Sequence, residues 1–217
     1  MTDAPTAPLA APGIDPAHLV TSRAALEALY PAPSEIVMKK VASRIDPRSA
    51  AFIAASPFCL LATRGARGAH CTPRGDAPGF VAVLDETTLA LPDRRGNQRL
   101  DALHDILDDP ALALLFLVPG IGETLRIGGT GRISADPALC QRHAVQGQVP
   151  ATVLLVEVQE VYMQCARALA RSKLWGGRAK PAAAPSGGEL LAAHTGGLVD
   201  AREFDEVHAP HIVSTLY

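Results

Sequence analysis

Chemistry in this chain is easiest to place in Pro92-Asp93-Arg94-Arg95-Gly96-Asn97-Gln98-Arg99-Leu100, which runs straight into DALHDIL. Two adjacent guanidinium groups and a glycine stand where a strand ends and a helix is predicted to begin, with Asn97 placed as its cap. A helix start offers unpaired N–H groups and the positive end of a dipole, and arginine forks match phosphate oxygens in pairs. Taken alone, the stretch reads first as a solvated basic turn and only second as an anion site, because short motifs match by chance often. Polar groups recur at two other strand ends: Thr72-Pro73-Arg74-Gly75-Asp76 and Glu123-Thr124-Leu125-Arg126. If the strands bring these ends together, Arg74, Arg94, Arg95 and Arg126 converge with Thr72, Asn97 and Thr124 on one mouth suited to a phosphorylated, planar ligand.

Other chemistries find little support. His208 and His211 are the only close histidine pair, with Pro210 between them and no carboxylate–histidine zinc signature, so no metal site is expected. GxSxG is absent, which leaves no nucleophile elbow for a hydrolase. Gly120-Ile121-Gly122 precedes a strand rather than a helix and reads as a hairpin turn, not a dinucleotide fingerprint. His70 and Cys71 could touch a ligand if their segment runs beside one, although a half-buried strand would accommodate both without a role.

The elements that must position these residues follow from pattern. TSRAALEALY and IVMKKVASRI have helical spacing, and Asp46 caps a third helix that starts at Pro47. From Pro57 on, FCLLAT, FVAVLD, TLALP, ALALLFLV, TLRIGGTGRIS and TVLLVEVQEV predict six strands. A helix over residues 98–108 interrupts them, with Leu100, Leu103, Ile106 and Leu107 as its buried face. Gly128, Gly129 and Gly131 mark a bulge or a close approach in the fifth of these strands. A further short helix over YMQCARALARSKLWGG reaches Trp175, and two or three small helices follow the RAKPAAAPSGG linker. The fold expected is mainly β with helices, an α+β protein whose antiparallel strands form a barrel. Its parts are a loose lead over residues 1–20, N-terminal helices over 21–56, the barrel over 57–176 and a helical tail over 177–217.

The 217 residues carry a net charge of −2, with 48% hydrophobic and 19% charged. That balance suits a well-buried core and argues against nucleic-acid binding through phosphate attraction. Four scattered cysteines without a CxxC pair point to reduced thiols in a cytoplasmic protein. The opening MTDAPTAPLAAPGIDP lacks the features of a secretory signal, and no run is long enough to span a membrane.

Taken together, PRGD, PDRRGNQRLD, ILDDP and LLFLVPGIGETLR, in that order, resemble the FMN-binding split-barrel proteins related to pyridoxamine 5′-phosphate oxidase, over residues from about 34 to 176. The resemblance implies an FMN-binding split β-barrel, a homodimer with FMN at its subunit interface and a small-molecule substrate. Arg94 and Arg95 match the pair that holds the FMN phosphate. Asn97, Gln98 and Arg99 match the start of the neighbouring helix. Thr72, Pro73 and Arg74 match the strand beside the ring and ribityl chain. Thr124 and Arg126 match positions from which the second subunit reaches the same flavin. The C-terminal HIVSTLY lacks the arginine- and proline-containing segment with which true pyridoxamine-phosphate oxidases hold substrate. An oxidoreductase with no assigned catalytic residue is the function implied, beside a non-catalytic flavin carrier or sensor and a haem-binding or haem-degrading relative that would use His208 or His211.

Overall fold

The computed structural model describes residues 13, 15–177, 184–208, 211, 215 and 216. By its internal contacts the chain divides into Met1–Lys39 and Lys40–Tyr217. In the first unit a 3₁₀ turn at Pro16–His18 is followed by α1 (Arg23–Glu27) and α2 (Glu35–Lys39), none of which buries a residue. Both helices are shorter than their apolar spacing predicts. After Lys39 the chain is extended, because Ala42 bridges backbone to backbone with Val161 and the Ile45 N–H donates to the Glu86 carbonyl at 2.7 Å. Ile45 thereby enters the core, whereas Ile36, Val37 and Val41 are exposed.

The second unit opens with α3 (Pro47–Ala55). Asp46 caps it, accepting from the N–H groups of Arg48 and Ser49, and Pro47 occupies the first turn as expected. Seven antiparallel strands follow: β1 (Phe58–Gly65), β2 (Gly68–Gly75), β3 (Ala82–Asp85), β4 (Thr88–Pro92), β5 (Ala111–Leu117), β6 (Thr124–Ser134) and β7 (Val153–Gln164). The strand that the six apolar runs omit is β2, GAHCTPRG, which the family resemblance alone implied. It lacks the apolar alternation of a half-buried strand because it lies at an edge, where one flank has no partner and a proline costs no ladder bond. FVAVLD contributes only its last four residues to β3, while Phe80 and Val81 pack in the core ahead of it.

The strand order is β2-β1-β5-β6-β7-β4-β3. It encloses a core of Leu61, Leu89, Leu114, Phe116, Ile127, Val156 and Val161, each almost wholly buried. Between the strands lie α4 (Asp101–Asp108), which packs on β1, β2 and β6, and α5 (Pro137–Arg142). After β7 come α6 (Arg167–Ser172), α7 (Gly187–His194) and α8 (Ala201–Glu203), the last running into a π-helical turn. Gly196 and Gly197, both left-handed, separate α7 from α8 as the break in sequence suggests. Trp175 lies beyond the end of α6 and donates its indole N–H to the Ile121 carbonyl at 2.7 Å. Residues 118–123 form the β5–β6 turn, in agreement with the hairpin reading of PGIGE.

The β6 glycines act as their spacing implies. The β6–β7 register shifts between Gly128 and Gly129. A Cβ on Gly129 would run into the Glu157 carbonyl oxygen, and one on Gly131 would come within 2.7 Å of the Leu112 side chain. A bulge bends its strand and sharpens the local twist, which helps an open sheet to curl. Gly129→Ala is therefore expected to destabilise the fold by about 1–3 kcal/mol, the usual cost of overpacking, read as a lower midpoint in urea unfolding.

Candidate functional site

Two short motifs from distant strands meet at the site. Arg74, near the end of β2, donates through Nη1 to Asp93 at 2.7 Å, and Arg94, just beyond β4, donates through Nε to Asp76 at 2.6 Å. The pairs are crossed: each motif supplies one arginine and one carboxylate. β2 is the first strand of the sheet and β4 the sixth, so these bonds span its open seam rather than reinforce a neighbouring pair. Below them Leu61, Leu91, Leu103 and Leu154 line a small void that Arg74, Pro92 and Asp93 close. Arg94 also donates through Nη1 to the His143 carbonyl at 2.7 Å, tying in the end of α5. Burial foremost, and then the charges of Arg94 and Arg142, hold the His143 imidazole below its ordinary range. The Asp76 side chain is only 2% exposed and accepts from Arg94 in that setting.

A cleft of about 910 Å³ opens beside this seam, within the size range of small-molecule sites. Residues 72–75 form one wall, 92–103 a second and 148–151 a third. Thr72, Pro73, Arg74, Arg94, Arg95, Asn97, Gln98 and Arg99 all line it, so the PRGD and PDRRGNQR stretches share one site. Their cations are not equivalent. Arg74 and Arg94 are committed to carboxylates, although the Arg74 Nε is buried without a partner. Arg99 pairs with Asp101 at 2.9 Å. Arg95 is exposed and forms no hydrogen bond or ion pair among the described residues.

Thr124 and Arg126 stand apart from this cleft. β6 is the central strand of the sheet, and there Thr124 is buried opposite Leu117 and Gln164. Arg126 faces Glu160 at 3.7 Å and lies 5.6 Å from the Tyr162 ring centre. The single mouth expected for all three strand ends thus forms from two of them. Arg126 nonetheless has its Nε buried with no partner.

The helix after the basic stretch begins later than its sequence suggests. Leu100, not Asn97, is the N-cap residue, and no side chain caps the helix start. Gln98 and Leu100 have φ of 58° and 56°, which breaks any helix across residues 98–100. Asn97 instead accepts from the Arg99 N–H at 3.1 Å, closing an Asx turn. Leu100 and Leu107 are consequently exposed, and the buried face of α4 is Ala102, Asp105 and Ile106.

Asp105 is the site-adjacent residue that apolar spacing hides. Its Oδ2 accepts from the Thr63 hydroxyl at 2.7 Å and contacts His70 Nδ1 at 2.6 Å. A carboxylate among Leu103, Ile106 and Leu107 was the only available signal. His70 is engaged there and does not line the cleft, and neither does exposed Cys71. Burial pushes the Cys59 thiol up to about 12, so it offers no thiolate. Pro210 and the His208 side chain lie outside the described residues, and among those described no group of His, Cys, Asp and Glu is suited to a metal. No described helix is long and apolar enough to cross a membrane.

Residues 45–165 match the family model described as pyridoxamine 5′-phosphate oxidase. The chain belongs to that family. Its antiparallel barrel, with the sheet left open at the seam, is the split-barrel architecture expected of a member. No curated protein matches the sequence. Among solved structures, HupZ of Group A Streptococcus is 18% identical, covers 54% of this chain and 91% of its own, and has a TM-score of 0.45. General Stress Protein 26 of Bacillus anthracis is 15% identical over 52% of this chain and 88% of its own, with a TM-score of 0.38. The FAD binding protein of Mycobacterium smegmatis is 12% identical over 57% and 97%, with a TM-score of 0.39. These scores are low, and family membership rests on the family model.

Two expectations follow from the ion pairs. Arg94→Ala takes the Nε donor from a buried carboxylate and the Nη1 donor from the His143 carbonyl, and should lower stability by up to about 3–5 kcal/mol, so the Arg94–Arg95 pair is not dispensable to folding as two simple phosphate ligands would be. Denaturant unfolding measures this. Asp105 is held below its ordinary 3.8, first by the Thr63 hydroxyl and then by His70. A depressed carboxylate stabilises the fold fully above its unfolded value and less as pH falls through the folded one. Wild-type stability should therefore decline more steeply below pH 3.8 than that of Asp105→Asn, as followed by circular dichroism during acid titration.

Proposed function

We propose that the cleft binds FMN through its phosphate and that the protein is an oxidoreductase acting on a small molecule. The observation that carries this reading is the unpaired Arg95 beside the uncapped start of α4, in a cleft whose other arginines already have carboxylate partners. A fixed cation and free N–H groups at a helix start suit a phosphate better than a neutral ligand. The donor set fits the cofactor: Arg95 and the N–H groups of the loop after β4 would hold the phosphate. Thr72, Pro73 and Arg74 would lie along the ribityl chain and ring. Arg74, with its Nε unsatisfied, would place positive charge beside the ring. Bound there, FMN would supply hydride chemistry, for which the protein provides position and field.

The homodimer belongs to the same proposal. Arg126, remote from its own chain's cleft and with an orphaned Nε, would complete the partner's site together with Thr124. Exposed Ile121, Met163 and Trp175 provide apolar surface for such an interface.

Reconstitution with FMN tests the core of the reading. Purified protein should give a flavin spectrum, whereas a Soret band would favour haem. Arg95→Ala should weaken FMN by about 1.5–3 kcal/mol, roughly 10- to 150-fold, while leaving the unfolding midpoint unchanged. Retention of wild-type affinity in that variant would overturn the phosphate assignment. Anaerobic bleaching of bound flavin by a reductant separates an oxidoreductase from a carrier.

A further inference from the structure

The loop that brings Arg95 to the cleft holds an unfavourable backbone. Gln98 and Leu100 both occupy the left-handed region, which non-glycine residues seldom adopt and which persists only where the surroundings over-determine it. Leu100 is exposed, so its own side chain supplies little of that constraint. α4, which the loop enters directly, is the element placed to supply it.

Two carboxylates one turn apart fasten α4 to the β1–β2 hairpin. Asp101 accepts from Arg67 at 2.6 Å and from Arg99 at 2.9 Å. Asp105, 2% exposed, takes the Thr63 hydroxyl from β1 and His70 Nδ1 from β2 on the same oxygen. β1 makes room for it: a Cβ on Gly65 would collide with Asp105 Oδ1. With the carboxylate ionised, Nδ1 carries the imidazole proton, so the contact is a charge-assisted hydrogen bond between a buried carboxylate and a partly buried ring.

His70, Thr72 and Arg74 alternate along one face of β2, and Thr72 and Arg74 wall the cleft. On the other side Ala102, one turn before Asp105, and Leu103 wall it. The His70–Asp105 contact therefore joins the two walls just behind the cleft. We propose that Asp105 and His70 are positioning residues for the anion site: by fixing α4 against β2 they hold residues 95–100 in the strained conformation that presents Arg95 to a phosphate. The inference rests on the FMN-phosphate reading and concerns what keeps that site shaped before the ligand arrives.

FMN and riboflavin, which differ by the phosphate alone, separate positioning from general support. Both are titrated by quenching of flavin fluorescence into the wild-type protein and into Asp105→Asn, His70→Gln, Thr63→Val and Thr63→Ser, with thermal unfolding alongside. The expected result is FMN weakened roughly tenfold in Asp105→Asn and His70→Gln, the scale of one lost charge-assisted contact, with riboflavin binding unchanged. Thr63→Val should lose part of that preference and Thr63→Ser regain it. Unchanged FMN affinity in folded Asp105→Asn and His70→Gln overturns the proposal, as does an equal loss of FMN and riboflavin. Should Asp105→Asn fail to fold, His70→Gln decides, because its half-exposed ring can be replaced without opening the core. Wild-type protein that binds FMN no better than riboflavin removes the phosphate reading itself, a result visible before any variant is made.

Discussion

The crossed ion pairs Arg74–Asp93 and Arg94–Asp76 are the constraint on which the rest depends. An antiparallel sheet of this order has two free edges, and the hydrophobic core by itself does not dictate how far they approach. Bonds between the end of the first strand and the end of the sixth set that distance, and the cleft exists because the two ends meet without pairing. Each arginine is largely shielded from water, and each has a carboxylate on the opposing motif. The arrangement thus avoids the penalty of an isolated buried charge while remaining sensitive to removal of either partner.

Curvature and closure support one another. The bulge at Gly128 and Gly129 gives β6 extra twist, and β6 is the central strand, so a bend there moves both edges. α4 then packs on β1, β2 and β6 with Ala102 and Ile106 buried and Asp105 against β1 and β2. Its eight residues are too few for much intrinsic helical stability, and tertiary anchors do most of the holding.

Much of this was legible in the residues. Apolar runs locate β1, β4, β5, β6 and β7, Asp46-Pro47 marks the start of α3, and the glycine spacing of β6 announces its bulge. β2 left no apolar pattern, because an edge strand needs none, and only the family resemblance pointed to it. Asn97 resembles a helix cap in every local respect, and only the left-handed turns at Gln98 and Leu100, stabilised from outside the segment, prevent it from serving as one. The arginines of the cleft were visible by type and placement. Their partners were not: Asp76 and Asp93 lie beside arginines in sequence yet bond to arginines of the other motif, a reciprocity that appears only once the first and sixth strands are adjacent in space. Arg126 likewise sits at a strand end, but on a strand whose two neighbours keep it from the seam.

Arg94 and Arg95 are adjacent in the chain and unequal in burden, one fastened to Asp76 and His143 and the other open to the cleft. Descendants of this chain can therefore explore new ligands at little risk to their architecture. Replacement of Arg95, or of residues 148–151 in the third wall, changes what the cleft greets and touches neither crossed ion pair. Replacement of Arg94 would be purged long before its effect on recognition could be sampled. Two neighbouring codons thus face different selective regimes, and diversification should proceed along the open side of the pair while the closed side stands still.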